Sequence, residues 1–216
     1  MLGDKDYQDI ITNAIDSFTR DLRPKIDLND NKTIYVYEIV RCLRRSYFDR
    51  TAPKKAEVEG FYGLIDGLLR RMSSGSTQGE FTVDDIKLKA QADMIVENIV
   101  ITIQIVTALP ENPLSADALY LNACLWVFNK YEGVIVYITG DGKESSFYLS
   151  RDKKMFEEFI RRVRVLSSLL GEKKVPILEP SSECNTCQYY EECYIKKKRS
   201  SNISFDSLFG SRKEEK

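Results

Sequence analysis

The chain has 216 residues, a net charge of −1, a sequence pI near 5.8 and 43% hydrophobic residues. That length is sufficient for one domain with a substantial core, and the near-neutral charge argues against nucleic-acid binding over the whole surface. With no secretory signal peptide and no run of about 18 apolar residues, we expect a soluble cytoplasmic protein. Histidine is absent, which removes the commonest general base and metal ligand.

The first third of the chain contains segments with helical spacing. Residues 4–22 place apolar side chains at helical spacing with charged ones on the opposite face, as an amphipathic helix does. Residues 35–48 are interpreted as a second helix, which carries Cys42 among basic residues. Residues 57–72 have the clearest apolar stripe, and a flexible loop rich in serine and glycine follows at 73–79.

The remainder alternates strand and helix patterns. Residues 86–92 alternate apolar and polar, and residues 99–107 are rich in β-branched side chains, as in a central strand. A helix that is apolar nearly all round, and therefore buried, is predicted over 114–128. A hairpin follows over 134–149 and a long amphipathic helix over 155–170. This order predicts an α/β sandwich with a short mixed sheet.

Three of the five cysteines lie close together near the C-terminal end. Cys184, Cys187 and Cys193 provide three soft ligands, one short of a tetrahedral set. Cys42 has polar neighbours, whereas Cys124 lies in an apolar run and is expected to be a small buried side chain. We therefore predict one four-cysteine site formed by Cys42 and the clustered three. The spacing suits an iron–sulfur cluster, while zinc, or disulfides and free thiols, remain alternatives.

Between about residues 34 and 194, motifs occur in an order that resembles a known family. The chain has C-x-R-[RK] at 42–45, Asp93 at a strand end, a second strand, a buried helix, a hairpin, and C-x2-C-x5-C at 184–193. This order is similar to that of the RecB-like, CRISPR-associated exonuclease family of the PD-(D/E)XK nuclease superfamily. The resemblance implies a nuclease-like mixed sheet flanked by helices, with a C-terminal iron–sulfur lobe. It also favours a [4Fe-4S] cluster over zinc on the four cysteines.

The same resemblance implies a division of the chain. We expect an N-terminal helix over 1–30 and a nuclease-fold core over 31–180 that includes the Cys42 helix. A cysteine lobe over 181–199 and a disordered tail over 200–216 follow.

In that family, a site with His, Asp, Glu-x-Lys and Gln-x3-Tyr cuts DNA with Mg²⁺ or Mn²⁺. Here Leu64 or its neighbour stands at the His position, and Asp93 is present. On the strand, Gln104 stands at the Glu position and Val106 at the Lys position. On the helix, Tyr120 stands at the Gln position and Cys124 at the Tyr position.

These replacements predict that cleavage is lost. An amide at 104 lacks the charge that holds a divalent cation, and valine at 106 cannot orient a water molecule. Bound Mg²⁺ or Mn²⁺ is therefore not expected, and Asp93 is expected to be satisfied by backbone amides. A relocated site could draw on nearby charged side chains, which are Lys87, Lys89, Glu97 and Glu111.

The resemblance then implies a DNA-binding or scaffold subunit of a DNA-processing complex. The alternative is an active exonuclease of CRISPR spacer acquisition with a rearranged site. Basic side chains are candidate contacts to single-stranded or splayed DNA, although solvated helix faces explain the arginines equally well. The candidates are Arg41, Arg44, Arg45, Arg161, Arg162, Arg164, Lys196, Lys197, Lys198 and Arg199.

The tail contains a short apolar patch in polar surroundings. Phe205, Leu208 and Phe209 resemble a sliding-clamp-binding motif, with Asn202 in place of glutamine. We expect this patch either to fold onto a protein partner or to pack on its own domain.

Overall fold

The computed structural model describes residue 27, residues 29–54 and residues 77–199, without the side chains of Ser182 and residues 195–199. The predicted helices over 4–22 and 57–72 lie outside the described residues, as do Leu64 and the apolar patch of the tail. The chain divides into two compact units, Met1–Ile177 and Leu178–Lys216.

The first unit contains the mixed α/β fold. Its described elements are β1 (Thr33–Tyr35), α1 (Val36–Val40), α2 (Leu43–Thr51), β2 (Thr77–Val83), β3 (Ile86–Ala92), β4 (Met94–Val96), β5 (Ile99–Val106), α3 (Ser115–Val127), β6 (Glu132–Thr139), β7 (Glu144–Ser150) and α4 (Lys153–Gly171). The second unit contains a 3₁₀ turn at Ser182–Thr186 and helix α5 at Tyr190–Arg199.

The described strands form two mixed sheets. In the three-stranded sheet, β3 lies between β1, which runs parallel to it, and β2, which runs antiparallel. The four-stranded sheet has the order β4-β5-β6-β7, in which only β5 and β6 are parallel. Parallel neighbours require a crossover connection, and α3 provides it. A Cβ added at Gly133 of β6 would lie 2.7 Å from Leu121 of α3, so the helix packs very closely on the sheet.

Helices α3 and α4 supply much of the core. Leu121 and Leu125 of α3 and Phe159 and Leu166 of α4 have no exposed surface. Helix α4 begins where the side chain of Asp152 accepts a hydrogen bond from the backbone N–H of Met155, at 2.7 Å. No described helix is both long and apolar enough to cross a membrane.

Most predicted elements in the described residues are confirmed. The strands over 86–92 and 99–107 correspond to β3 and β5, and the buried helix over 114–128 corresponds to α3. The hairpin is β6–β7, and the last predicted helix is α4. The mixed sheet flanked by helices is therefore present, although it is divided into two sheets.

Two local predictions are wrong. The helix expected over 35–48 is interrupted, because Arg41 is extended at φ −104° and ψ −176°, which separates α1 from α2. The loop expected over 73–79 ends early, because Thr77 already pairs with Ala92 in the antiparallel β2–β3 ladder. In both places, contacts with distant residues override the local pattern.

Candidate functional site

Asp93 lies at the turn between β3 and β4 and is only 8% exposed. Its Oδ2 accepts a hydrogen bond from the backbone N–H of Ile103, at 2.7 Å. Met94 pairs with Ile101 across the β4–β5 hairpin, so one further step places Asp93 opposite Thr102.

Thr102 is a site residue that the sequence reasoning missed. It is 1% exposed, and its Oγ1 has no hydrogen-bond partner in the described part of the chain. Gln104 and Val106 follow on the same face of β5 because side chains alternate along a strand. The signal that could have identified Thr102 is the two-residue turn at Glu97-Asn98, which fixes the register of the hairpin.

Helix α3 brings two more candidates to this region. The Tyr120 hydroxyl donates to the carbonyl of Gln91 at 2.6 Å, and Cys124 Sγ lies 3.9 Å from the same oxygen. Cys124 has no exposed surface. Burial, and secondarily the nearby charge of Asp93, raise the pKa of its thiol. Cys124 is therefore expected to remain protonated and inert.

Thr102 and Gln104 of β5 and Cys124 of α3 contribute hydroxyl, amide and thiol groups to this region. Among the residues that the structure describes, no group of three or more His, Cys, Asp or Glu side chains is placed to hold a metal ion. Lys87 and Lys89, which could have supplied a relocated lysine, lie 3.4 Å and 3.6 Å from the carboxylate of Glu80 on β2.

The backbone around Cys42 is fixed on both sides. The Ser46 hydroxyl donates to the carbonyl of Glu38 at 2.7 Å, and the backbone N–H of Ser46 donates to the carbonyl of Cys42 at 3.1 Å. Arg162 of α4 donates to the carbonyls of Ile39 and Arg41, at 3.0 and 2.8 Å. These bonds satisfy carbonyls at the end of α1 and hold the break in the helix.

A buried ion pair holds α1 against α2. The side chains of Glu38 and Arg50 are 0% and 1% exposed, and two hydrogen bonds of 2.7 and 2.6 Å join them. The backbone N–H of Tyr35 donates to Glu38 at 2.8 Å. Arg50 also donates to the carbonyls of Asp30 and Thr33, at 2.6 and 2.8 Å. The pair is therefore satisfied on both sides, as a buried pair must be.

The arginines predicted to contact DNA have partners within the chain. Arg45 has an interaction with another residue of the chain. The basic run at 196–199 lies in the last turns of α5. The remaining pairs are Arg41 with Asp49 at 2.7 Å, Arg44 with the Pro176 carbonyl at 3.1 Å, Arg161 with Glu158 at 2.6 Å, Arg162 with the carbonyls above, and Arg164 with Asp84 at 2.9 Å. DNA contact by these side chains remains a prediction.

The second unit holds the three clustered cysteines in consecutive turns. The N–H of Cys187 donates to the Cys184 carbonyl at 3.2 Å, and the N–H of Cys193 donates to the Tyr189 carbonyl at 3.1 Å. The backbone N–H of Ser181 donates to Cys184 Sγ at 3.4 Å and is the main cause of the lowered pKa of that thiol. A stabilised thiolate is the form that binds metal, so Cys184 fits a metal ligand.

Comparison with known proteins identifies distant relatives. No protein-family profile matches the chain. It is 27% identical over 135 residues to the CRISPR-associated exonuclease Cas4 of Saccharolobus solfataricus, covering 53% of this chain and 67% of that protein. Its fold is similar to the crystal structure of SSO0001, with a TM-score of 0.68 and 21% identity over 88% of this chain and 98% of the other.

A more remote match is the alkaline exonuclease LHK-Exo of Laribacter hongkongensis. Its TM-score is 0.43 and its identity 10%, over 66% of this chain and 89% of that one. The fold assignment therefore depends on SSO0001 and on the curated relative. The chain therefore has a fold similar to that of SSO0001 and a sequence similar to that of a CRISPR-associated exonuclease.

Proposed function

We propose that this chain is a nuclease-fold protein that no longer cleaves DNA and acts as a DNA-binding or scaffold subunit of a DNA-processing complex. One observation supports the loss of cleavage. The Asp93 carboxylate accepts the backbone N–H of Ile103 at 2.7 Å, and the side chains of Thr102, Gln104 and Val106 on β5 carry no charge. The amide of Gln104, at the position that the resemblance gives to the family's Glu, cannot replace a carboxylate ligand of Mg²⁺ or Mn²⁺. Val106, at the position of the family's Lys, carries no positive charge.

An assay of DNA hydrolysis tests this proposal. Purified full-length protein is incubated with end-labelled single-stranded DNA and Mn²⁺, in parallel with Asp93→Ala. We expect no product above background from either protein. Cleavage by the wild type that disappears in Asp93→Ala would overturn the proposal and establish the alternative, an active metal-dependent DNA exonuclease. The name of the curated relative, an exonuclease, is the observation that favours this alternative.

We further propose that Cys42, Cys184, Cys187 and Cys193 hold a [4Fe-4S] cluster, with zinc as the alternative. The C-x2-C-x5-C spacing of Cys184, Cys187 and Cys193 supports three of these ligands, and Cys42 is the fourth by the resemblance described above. A cluster would supply structural cross-linking of distant parts of the sequence.

Metal analysis distinguishes the alternatives. We expect anaerobically purified protein to contain iron and sulfide and to absorb visible light, and Cys184→Ser to lose both. Cys124→Ser is the matched control, because Cys124 is fully buried beside Asp93, and it should retain the iron. Zinc without iron in the wild type would contradict the iron–sulfur assignment but retain the four-cysteine site.

A further inference from the structure

A column of side chains in ring and cation–π contacts extends from the core of the first unit to its surface. Phe159 has no exposed surface, and its ring lies 6.1 Å from that of Phe156, at an interplanar angle of 9°. The ring of Trp126, at the end of α3, stacks on Phe156 at 4.6 Å and 8°. Distances and angles of this kind are those of offset-stacked aromatic pairs. The column is therefore anchored in the core.

The column continues through a cation to an exposed ring. The guanidinium carbon of Arg151 lies 4.2 Å from the centroid of the Trp126 ring and 4.4 Å from that of Tyr131. Both distances are within the range of a cation–π contact. Tyr131 is the last member, and 69% of its surface is exposed. The structure therefore presents an exposed aromatic ring with the Arg151 cation over one of its faces.

Backbone contacts hold the outer end of the column in place. The N–H of Arg151 donates to the Tyr131 carbonyl at 2.8 Å, and the N–H of Lys130 donates to the Leu125 carbonyl of α3, also at 2.8 Å. Arg151 Nη1 donates to Oδ1 of Asn129 at 3.3 Å. A ligand that stacks on Tyr131 would meet a surface that is already ordered, which lowers the entropy cost of binding.

Arg151 also differs from the arginines predicted to contact DNA. Arg41, Arg161 and Arg164 are each neutralised by a carboxylate at 2.6–2.9 Å. Arg151 has no carboxylate partner in the described part of the chain, so its charge is uncompensated. An uncompensated cation next to an exposed ring attracts an anionic ligand that has flat aromatic groups.

We infer that Tyr131 and Arg151 form a stacking site for an unpaired base of single-stranded DNA. Each base has a π-face that can stack on Tyr131, and the adjacent phosphate would be attracted to the Arg151 charge. The neighbours of Tyr131 in sequence, Lys130 and Glu132, are charged, and Glu132 is exposed. Such polar surroundings disfavour an apolar peptide as the occupant. This inference rests on the DNA-binding part of the proposed function.

Trp126 is the only tryptophan in the chain, so its fluorescence reports directly on the column. Titration of the full-length protein with a short oligothymidylate at low salt is expected to change this fluorescence with saturation. Tyr131→Ala should weaken binding about 5- to 150-fold, the range that loss of one base–aromatic stack gives. Tyr131→Phe retains the ring and should bind as the wild type does.

Tyr148 provides the matched control. It lies on β7, is 81% exposed, and its ring has no stacking partner among the described residues. Tyr148→Ala should leave binding unchanged. The inference is overturned if Tyr131→Ala binds as tightly as the wild type, or if Tyr148→Ala weakens binding equally. Absence of oligothymidylate binding by the wild type would overturn it together with the DNA-binding role, whereas the loss of cleavage is tested separately by the hydrolysis assay.

Discussion

The two buried polar sites of the first unit are built in opposite ways. At the junction of α1 and α2, Glu38 and Arg50 are fully buried, and backbone groups complete their hydrogen bonds. At the β4–β5 hairpin, Asp93 lies opposite Thr102, whose hydroxyl has no partner among the described residues. The chain thus has a fully hydrogen-bonded charge pair where it joins α1 to α2. At the hairpin, a buried carboxylate lies next to an uncharged side chain.

The strongest test of this contrast is to break the buried pair. Arg50→Met leaves the carboxylate of Glu38 buried without its cation, which is expected to lower the free energy of unfolding by about 3–5 kcal/mol. Urea denaturation measures the loss. The control is Arg164→Ala, which removes an ion pair with both side chains more than half exposed and should cost about 0–1 kcal/mol. Equal losses in the two variants would show that the buried pair has no special role.

A smaller decrease in the free energy of unfolding is expected when the hydrogen bonds from α4 to the end of α1 are removed. Arg162→Ala removes the donors that satisfy the carbonyls of Ile39 and Arg41, and hydrogen bonds from a charged donor contribute about 1.5–3 kcal/mol. The adjacent variant Arg161→Ala loses a solvent-exposed pair with Glu158. Arg161→Ala should therefore unfold at nearly the wild-type urea concentration, and a loss as large as that of Arg162→Ala would contradict this explanation.

The least costly change should be at the hairpin. Thr102→Val removes a buried hydroxyl without a described partner and is expected to raise the free energy of unfolding by about 1 kcal/mol. Thr139→Val is the matched control, because the Thr139 hydroxyl donates to Asp141 and accepts the N–H of Lys143 at 3.1 Å. That variant should be destabilised by about 1 kcal/mol. Destabilisation of Thr102→Val would indicate that its hydroxyl has a partner after all.

The sequence predicts an element of this structure well when the interactions that form the element lie within its own residues. The β-branched run of β5 and the apolar helix α3 are encoded within their own residues, so both were predictable. The break before Cys42 depends on Arg162, about 120 residues away in the chain, and no local pattern shows it. The position of Thr102 depends on the length of one turn, because a shift of the register exchanges the faces of a strand.

The candidate site was predictable in the same uneven way. Asp93 and the cysteines stand out by residue type and spacing. The column that ends at Tyr131 does not, because it needs α3, the β6–β7 pair and α4 to bring Trp126, Arg151 and Phe156 together. Sequence reasoning instead selected arginines in clusters, and the structure shows that these have partners within the chain.

Calorimetric titration of Mn²⁺ tests the central claim about Asp93 most directly. We predict that neither the wild type nor Asp93→Asn shows saturable Mn²⁺ binding at this carboxylate, so the two proteins give the same heats of titration. Gln104→Glu is the positive control, because it restores a carboxylate at the position that the resemblance gives to the family's Glu and should create Mn²⁺ binding. Saturable binding by the wild type that is lost in Asp93→Asn would contradict the account and show that the pocket still holds a metal ion.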